Sequence, residues 1–214
     1  QPIKQLADFL IATQRPMRYS LSHQTEPCSG FQERELNAVG ILIARIIYWL
    51  NFGCRSISHN RQAFSQGVAK LKVLLATASS DACEARHPIK AQPGLTPAML
   101  DWSVYMTLKH TDQVHVEILE LIELLEQDVQ PELGDISRFD TIGLVGPEVV
   151  QHFFEHAKQV ENLPDHLSLT WMNKVRHPIF GSLTSRGYYA VLAMHIWIHI
   201  RQIEACLNLQ ATHS

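Results

Sequence analysis

RHPIFG at residues 176–181 introduces the C-terminal segment of this chain, and residues 182–208 follow it with the periodicity of a long helix. At about 100° per residue, one face of that helix collects charged and amide side chains and is expected to meet water: Arg186, Arg201, Glu204 and Asn208. The opposite face is largely aliphatic, and its polar members are His195, His199, Gln202 and Cys206. The helix therefore carries two histidines on the face predicted to be buried.

His195 and His199 lie one helical turn apart. Burying an imidazole without a partner costs about 1–3 kcal/mol, so two inward-facing histidines both need partners. A shared metal ion would satisfy both, because imidazoles at i and i+4 can bind one cation. The alternative is a pair of core histidines that are hydrogen-bonded separately, and the spacing alone does not distinguish the two.

The composition limits the class of protein. The 214 residues are enough for one compact domain, and the net charge is −3, with 18 basic and 21 acidic residues and no basic cluster. This charge argues against nucleic acid as a partner. The four cysteines lack CysXXCys spacing, and no stretch resembles a signal peptide, so we expect reduced thiols and a cytoplasmic location.

Residues 33–52 form a strongly apolar helical candidate, interrupted by Arg45. A charge near the centre of a membrane span costs about 2.5–3.5 kcal/mol even on the permissive insertion scale, so we do not expect this helix in a membrane. We predict instead that it packs against the rest of the chain or against a second subunit, which would make the protein a homodimer. Residues 1–57 are accordingly interpreted as an N-terminal helical extension.

Residues 58–210 are predicted to form the main helical body. Helical periodicity occurs over 58–79, 98–128, 146–160 and 182–208, with no convincing strand pattern, which indicates an all-α protein built on a four-helix bundle. Pro97 is expected to begin the second of these helices. His110 lies on its apolar stripe, whereas His115 points to another side and is predicted to be solvated.

A second HisXXXHis pair, His152 and His156, lies in the segment 146–160. Its phase differs from that of the C-terminal pair, because the apolar residues of this helix fall on the side opposite both histidines. We therefore predict that His152 and His156 lie on a polar surface and do not bind the metal.

The C-terminal residues resemble a known family signature. HPIFGSLT at 177–184, then ten residues, then HIWIHIRQI at 195–203 resembles the end of the DinB-like (YfiT-like) four-helix-bundle superfamily, which typically has His-Pro-x-Phe-Gly-x-Leu before a helix with His-x-x-x-His. The likeness is looser over 58–128, where Trp102 and the sequence LKH at 108–110 match the helix that supplies another histidine. It does not extend to residues 1–57, so the extension departs from the family pattern.

The resemblance implies a divalent metal, zinc or nickel, held by His110, His195 and His199 at one end of the bundle. It also implies possible activities, since related members include bacillithiol- and mycothiol-dependent S-transferases and isomerases, alongside others without known activity. Independently of the family, three core-facing histidines on two helices would give a three-nitrogen site with an open position, as in catalytic zinc sites.

Several functions fit such a site. Water or a low-molecular-weight thiol can bind at the open position of the metal, which activates it for attack on a small-molecule electrophile. A transferase, an isomerase or a hydrolase would each require such a nucleophile. Gln202 is expected to orient the metal-bound ligand or to support His199 from behind. A non-enzymatic dimeric metal-binding or stress-related bundle protein is the alternative, and the sequence does not decide between them.

Overall fold

The computed structural model describes residues 38–129, 142–143, 145–166 and 173–211, all within the compact unit Leu36–Ser214. The described elements, in chain order, are α1 (Ala38–Tyr48), a π-helical turn (Trp49–Gly53), α2 (Ile57–Thr77), α3 (Ser80–Glu84), a 3-10 turn (Pro97–Asp101), α4 (Val104–Glu126), α5 (Glu148–His166), β1 (Val175–His177), β2 (Gly181–Leu183) and α6 (Ser185–Ala211). Helices dominate, which confirms the predicted all-α class. Most of the predicted N-terminal extension, residues 1–37, lies outside the described residues.

The four long helices enclose one apolar core. Helix α6 packs against α2 and α4, and α5 packs against the same two helices. Each helix contributes a fully buried side chain to this core, for example Phe64, Leu108, Phe153 and Leu192. Burying a side chain of this size contributes about 1.5–3 kcal/mol, so the shared core holds the positions of the four helices firmly.

The helix boundaries differ from the predicted ones in several places, and α6 begins at Ser185 rather than at residue 182, because Gly181–Leu183 forms a strand that was not predicted. Pro97 begins the separate 3-10 turn, and α4 starts only at Val104, where the Ser103 side chain accepts a hydrogen bond from the Met106 amide at 3.2 Å as an N-cap. Helix α5 continues beyond residue 160 to His166. Helix α3 was not predicted, because five residues are too short to show helical periodicity.

The HPIFG sequence forms a β-hairpin directly before α6. Strands β1 and β2 pair antiparallel, and the turn between them is organised by His177. The His177 Nδ1 atom accepts hydrogen bonds from the backbone amides of Ile179 at 3.1 Å and Phe180 at 3.3 Å. Gly181 has a φ of +80°, which favours glycine. The motif therefore requires a neutral histidine and a glycine, each for a reason of backbone geometry.

Helix α1 is attached to this hairpin and to the start of α6. The Arg45 Nε donates to the carbonyl oxygen of Ile179 at 2.7 Å, and the Tyr48 hydroxyl donates to that of Gly187 at 2.9 Å. The Tyr48 ring also stacks on Phe180, with 4.7 Å between ring centroids. Arg45 thus lies at the exposed surface and bonds a carbonyl group there.

The outer side of α1 and the following turn is an exposed apolar face. Tyr48 is fully buried, but between 41% and 65% of each of six other large apolar side chains is exposed, namely Leu42, Ile43, Ile46, Ile47, Trp49 and Leu50. Among the described residues, no helix has both the length and the apolar character to cross a bilayer. Within the single chain, this segment thus buries the side chain of Tyr48 but leaves the outer apolar side chains exposed. Contact with a second subunit stays a prediction.

Candidate metal centre

Three histidines converge where α4 and α6 pack together. His110 comes from α4, and His195 and His199 come from successive turns of α6. His110 and His199 are buried, and His195 is half-buried, so the cluster approaches the surface beside His195. In the described part of the chain, these three form the one group of potential ligands with all donor atoms within 4.8 Å of one another. The structure therefore brings together all three histidines that the sequence predicted as metal ligands.

The spacing of the ring nitrogens suits a cation. The Nε2 atoms of His195 and His199 are 3.1 Å apart. Tetrahedral zinc, with Zn–N bonds of about 2.0–2.1 Å, holds two ligand nitrogens about 3.3 Å apart, so this pair already has nearly the separation of bound ligands. The His110 ring centroid lies 4.8 Å from that of His199 and 5.3 Å from that of His195. Small movements would therefore place a metal between all three rings.

Gln202 sets the tautomer of His199. Its Nε2 donates to the Met99 carbonyl oxygen at 2.7 Å, so its Oε1 is the atom that faces the His199 Nδ1, at 2.8 Å. An amide oxygen only accepts, so Nδ1 carries the proton and the neutral ring presents a bare Nε2 to the cluster. Gln202 is fully buried, and the hydrogen bond from the His199 Nδ1 to its Oε1 orients the His199 ring.

The electrostatic environment keeps the ligands neutral. Burial, followed by the neighbouring histidines, lowers the pKa of His195 and of His199 well below the usual value. Neutral imidazole is the form that binds a metal, so the site does not have to release protons from these two rings at neutral pH.

Aromatic residues and a thiol surround the cluster. The Trp102 ring lies 5.2 Å from His110, and the Cys206 Sγ donates to the Trp102 carbonyl oxygen at 3.5 Å. Burial raises the pKa of the Cys206 thiol to about 11, so it stays protonated. Tyr105 and Tyr188 are also buried, and the Trp197 Nε1 donates to the Ala63 carbonyl oxygen at 2.9 Å.

His115 is the buried histidine that the sequence analysis missed. It was predicted to be solvated, but it is 1% exposed, with its ring 5.6 Å from that of His195. Burial, followed by the nearby His110 and His156, lowers its pKa to about 3. Helix α4 in fact carries a second buried stripe, formed by Leu108, His115, Leu119 and Ile122. The apolar members of that stripe were visible in the sequence and could have indicated the position.

The competing pair on α5 does not join the cluster. His152 is exposed, as predicted, but His156 is half-buried, and its Nδ1 lies 2.6 Å from an Oδ1 of the buried Asp112 on α4. The prediction of a fully polar surface for both histidines is thus wrong for His156. Asp112 is the reason, because a buried carboxylate on the facing helix needs a hydrogen-bonding partner.

Compared with known protein families, with curated proteins and with solved structures, the chain shows no significant match. The evidence for a function therefore comes from the geometry of the cluster and from the sequence signature of the C-terminal segment.

Proposed function

We propose that this chain is a DinB-like four-helix-bundle protein that binds one divalent metal, zinc or nickel, through His110, His195 and His199. The observation that carries the proposal is the convergence of these three imidazoles from two helices, with two Nε2 atoms only 3.1 Å apart. The closed arrangement of α2, α4, α5 and α6 and the HPIFG hairpin before α6 support the family assignment.

The ligand set favours a catalytic type of site. Three protein nitrogens leave a tetrahedral metal one open position, whereas structural zinc sites are usually closed by four protein ligands. When bound, such a metal lowers the pKa of a coordinated water or thiol and so supplies a nucleophile at neutral pH. The chain's own part is to hold three imidazoles together, fix the tautomer of His199 through Gln202, and surround them with a largely apolar core.

We further propose that the nucleophile is a low-molecular-weight thiol and that the reaction is its transfer to, or the isomerisation of, a small electrophile. Cys206 stays protonated and bonded to the Trp102 carbonyl group, so it does not supply a thiolate of the protein's own. The half-buried position of His195 gives a small molecule a route to the cluster. A small molecule rather than nucleic acid is the expected partner, and the cytoplasm, which supplies such thiols, is the expected location.

Metal content tests the site. Equilibrium dialysis against Zn²⁺ or Ni²⁺ is expected to give one ion per wild-type chain and none for His195→Ala, while His152→Ala, the matched control on α5, retains the ion. Gln202→Ala is expected to bind the ion about 10–100-fold more weakly. Retention of metal by His195→Ala together with its loss from His152→Ala would show that the other pair is the site.

A conjugation assay tests the chemistry. The metal-loaded protein is mixed with a small thiol and a panel of alkylating electrophiles, with and without chelator. We expect consumption of thiol that requires both metal and the wild-type His199. Hydrolysis of an ester in the absence of added thiol would instead favour the hydrolase, and stoichiometric metal binding without turnover would favour the non-enzymatic bundle protein.

A further inference from the structure

Three buried ring nitrogens beside the proposed metal site have no hydrogen-bond partner among the described residues. They are the Nδ1 of His195 and both nitrogens of His115. A buried polar group without a hydrogen-bond partner is unfavourable, so three such nitrogens close together indicate a place where a small polar molecule can bind. The two rings meet edge to face, with 5.6 Å between their centroids.

The hydrogen bonds within the cluster define what the His195 Nδ1 requires. Because the His199 Nε2 is bare, the contact of 3.1 Å between the two Nε2 atoms requires that the His195 Nε2 carries the proton when no metal is bound. A metal bound at the His195 Nε2 needs the lone pair of that atom, so the proton of the neutral ring must then be on Nδ1. Metal binding thus turns this nitrogen into a buried donor that needs an acceptor.

His199 already has such an acceptor, the Gln202 Oε1 at 2.8 Å, whereas the described residues offer none in direct reach of the His195 Nδ1. Ligand histidines almost always donate their second N–H to a carboxylate, a carbonyl group or water. His115 is the nearby polar residue with unused nitrogens. One water between the rings would span about 5 Å with two ordinary hydrogen bonds, which fits rings that are close but not directly bonded.

We propose that His115 is a positioning residue of the metal site, holding one water molecule that accepts the Nδ1–H of His195 and donates to a His115 nitrogen. This inference rests on the proposed metal site and assigns His115 the role toward His195 that Gln202 has toward His199. Both ligands on α6 are then oriented from behind, one by an amide within α6 and the other by a histidine on α4. The buried polar cluster accordingly extends from His199 through His195 to His115.

The surroundings of His115 provide a test in which packing and polarity can be separated. Its ring lies 5.4 Å from that of Phe64 and 5.9 Å from that of Phe153. His115→Phe and His115→Leu place apolar groups among apolar neighbours and remove two unpaired nitrogens, so the metal-free variants should melt at or above the wild-type temperature. His115→Gln keeps a polar group that can bond the same water.

The experiment measures the dissociation constant of Zn²⁺ by competition with a chromophoric chelator, beside the melting temperature of each metal-free variant. We expect His115→Phe and His115→Leu to bind about 10–100-fold more weakly than wild type, and His115→Gln to recover to within a few-fold. Wild-type affinity in the correctly folded Phe and Leu variants would overturn the role of His115 alone. Equal weakening in all three variants would overturn it as well, because it would show a packing effect. Absence of Zn²⁺ binding by wild type would overturn the metal site itself, and with it this inference.

Discussion

At the scale of single residues, neutral histidine serves two different purposes in this chain. In the HPIFG hairpin, the His177 Nδ1 accepts two backbone hydrogen bonds, so its lone pair replaces an acceptor that the tight turn lacks. In the cluster between α4 and α6, the His199 Nε2 accepts a hydrogen bond from the His195 Nε2, and its lone pair is the one available to a metal. Both uses fail when the ring is protonated, and burial lowers the pKa of His177 to about 4.

The hairpin histidine should make stability depend on pH. The pKa of an unfolded histidine is about 6.5, so below that pH the unfolded chain binds a proton that folded His177 does not, until pH reaches about 4. The free energy of unfolding therefore decreases as the pH is lowered through this window. The contribution of His177 to this decrease is about 2 kcal/mol between pH 7.5 and 5.0. His177→Asn keeps an acceptor for the turn without titrating, and should reduce the pH dependence by that amount in urea unfolding.

The surface variant His152→Asn is the control for that measurement. It removes a histidine without touching the hairpin, and its pH dependence should follow that of wild type. If His177→Asn lost stability between pH 7.5 and 5.0 as steeply as wild type, the neutral ring in the turn would not be the cause.

At the scale of elements, helical phase predicted α6 well and α4 only in part. The predicted core face of α6, with His195, His199 and Cys206, is the face that packs against α2 and α4. Helix α4 meets both α5 and α6, so its buried surface is wider than one stripe, and a single-stripe interpretation left His115 outside. The position of His156 was missed for a related reason, since its partner Asp112 lies on another helix and no periodicity within α5 reveals it.

Long-range contacts account for what else the sequence could not show. The link between Gln202 and Met99 joins positions 103 residues apart, and no local pattern predicts it. The ends of α4 and α5 also depended on features weaker than periodicity, such as the cap at Ser103. The all-α class and the three converging histidines, by contrast, followed from apolar spacing and from the resemblance in the C-terminal segment.

The exposed face of α1 leads to a prediction about assembly. Ile46 and Leu50 lie on this face with 49% and 65% of their surface exposed, and a contiguous apolar face of this kind marks an interaction site. We expect a second copy of the chain to cover it. Ile46→Asp should then convert a dimer to a monomer in light scattering after gel filtration. Val73→Asp, which changes an apolar residue of α2 with 65% of its surface exposed, should leave the dimer intact. A monomeric wild type at high concentration would contradict the prediction.

At the scale of the whole molecule, metal binding and folding should be coupled. The three ligands come from α4 and α6, whose separation in the sequence is long, so the site exists only when the core has formed. A ligand that binds only the folded state stabilises it by about 2.7 kcal/mol at a concentration of 100 times its dissociation constant. For a chain of this size, each kcal/mol raises the melting temperature by about 2–4 °C.

Saturating Zn²⁺ or Ni²⁺ should therefore raise the wild-type melting temperature by about 5–10 °C, as followed by circular dichroism at 222 nm. His195→Ala removes one of three ligands and should show little or no rise, whereas His152→Ala should respond like wild type. The comparison separates the buried cluster from adventitious binding, because surface histidines such as His152 can bind metal in the unfolded chain as well and so contribute little to stability. A rise of the same size in wild type and His195→Ala, absent from His152→Ala, would place the stabilising ion on α5 instead.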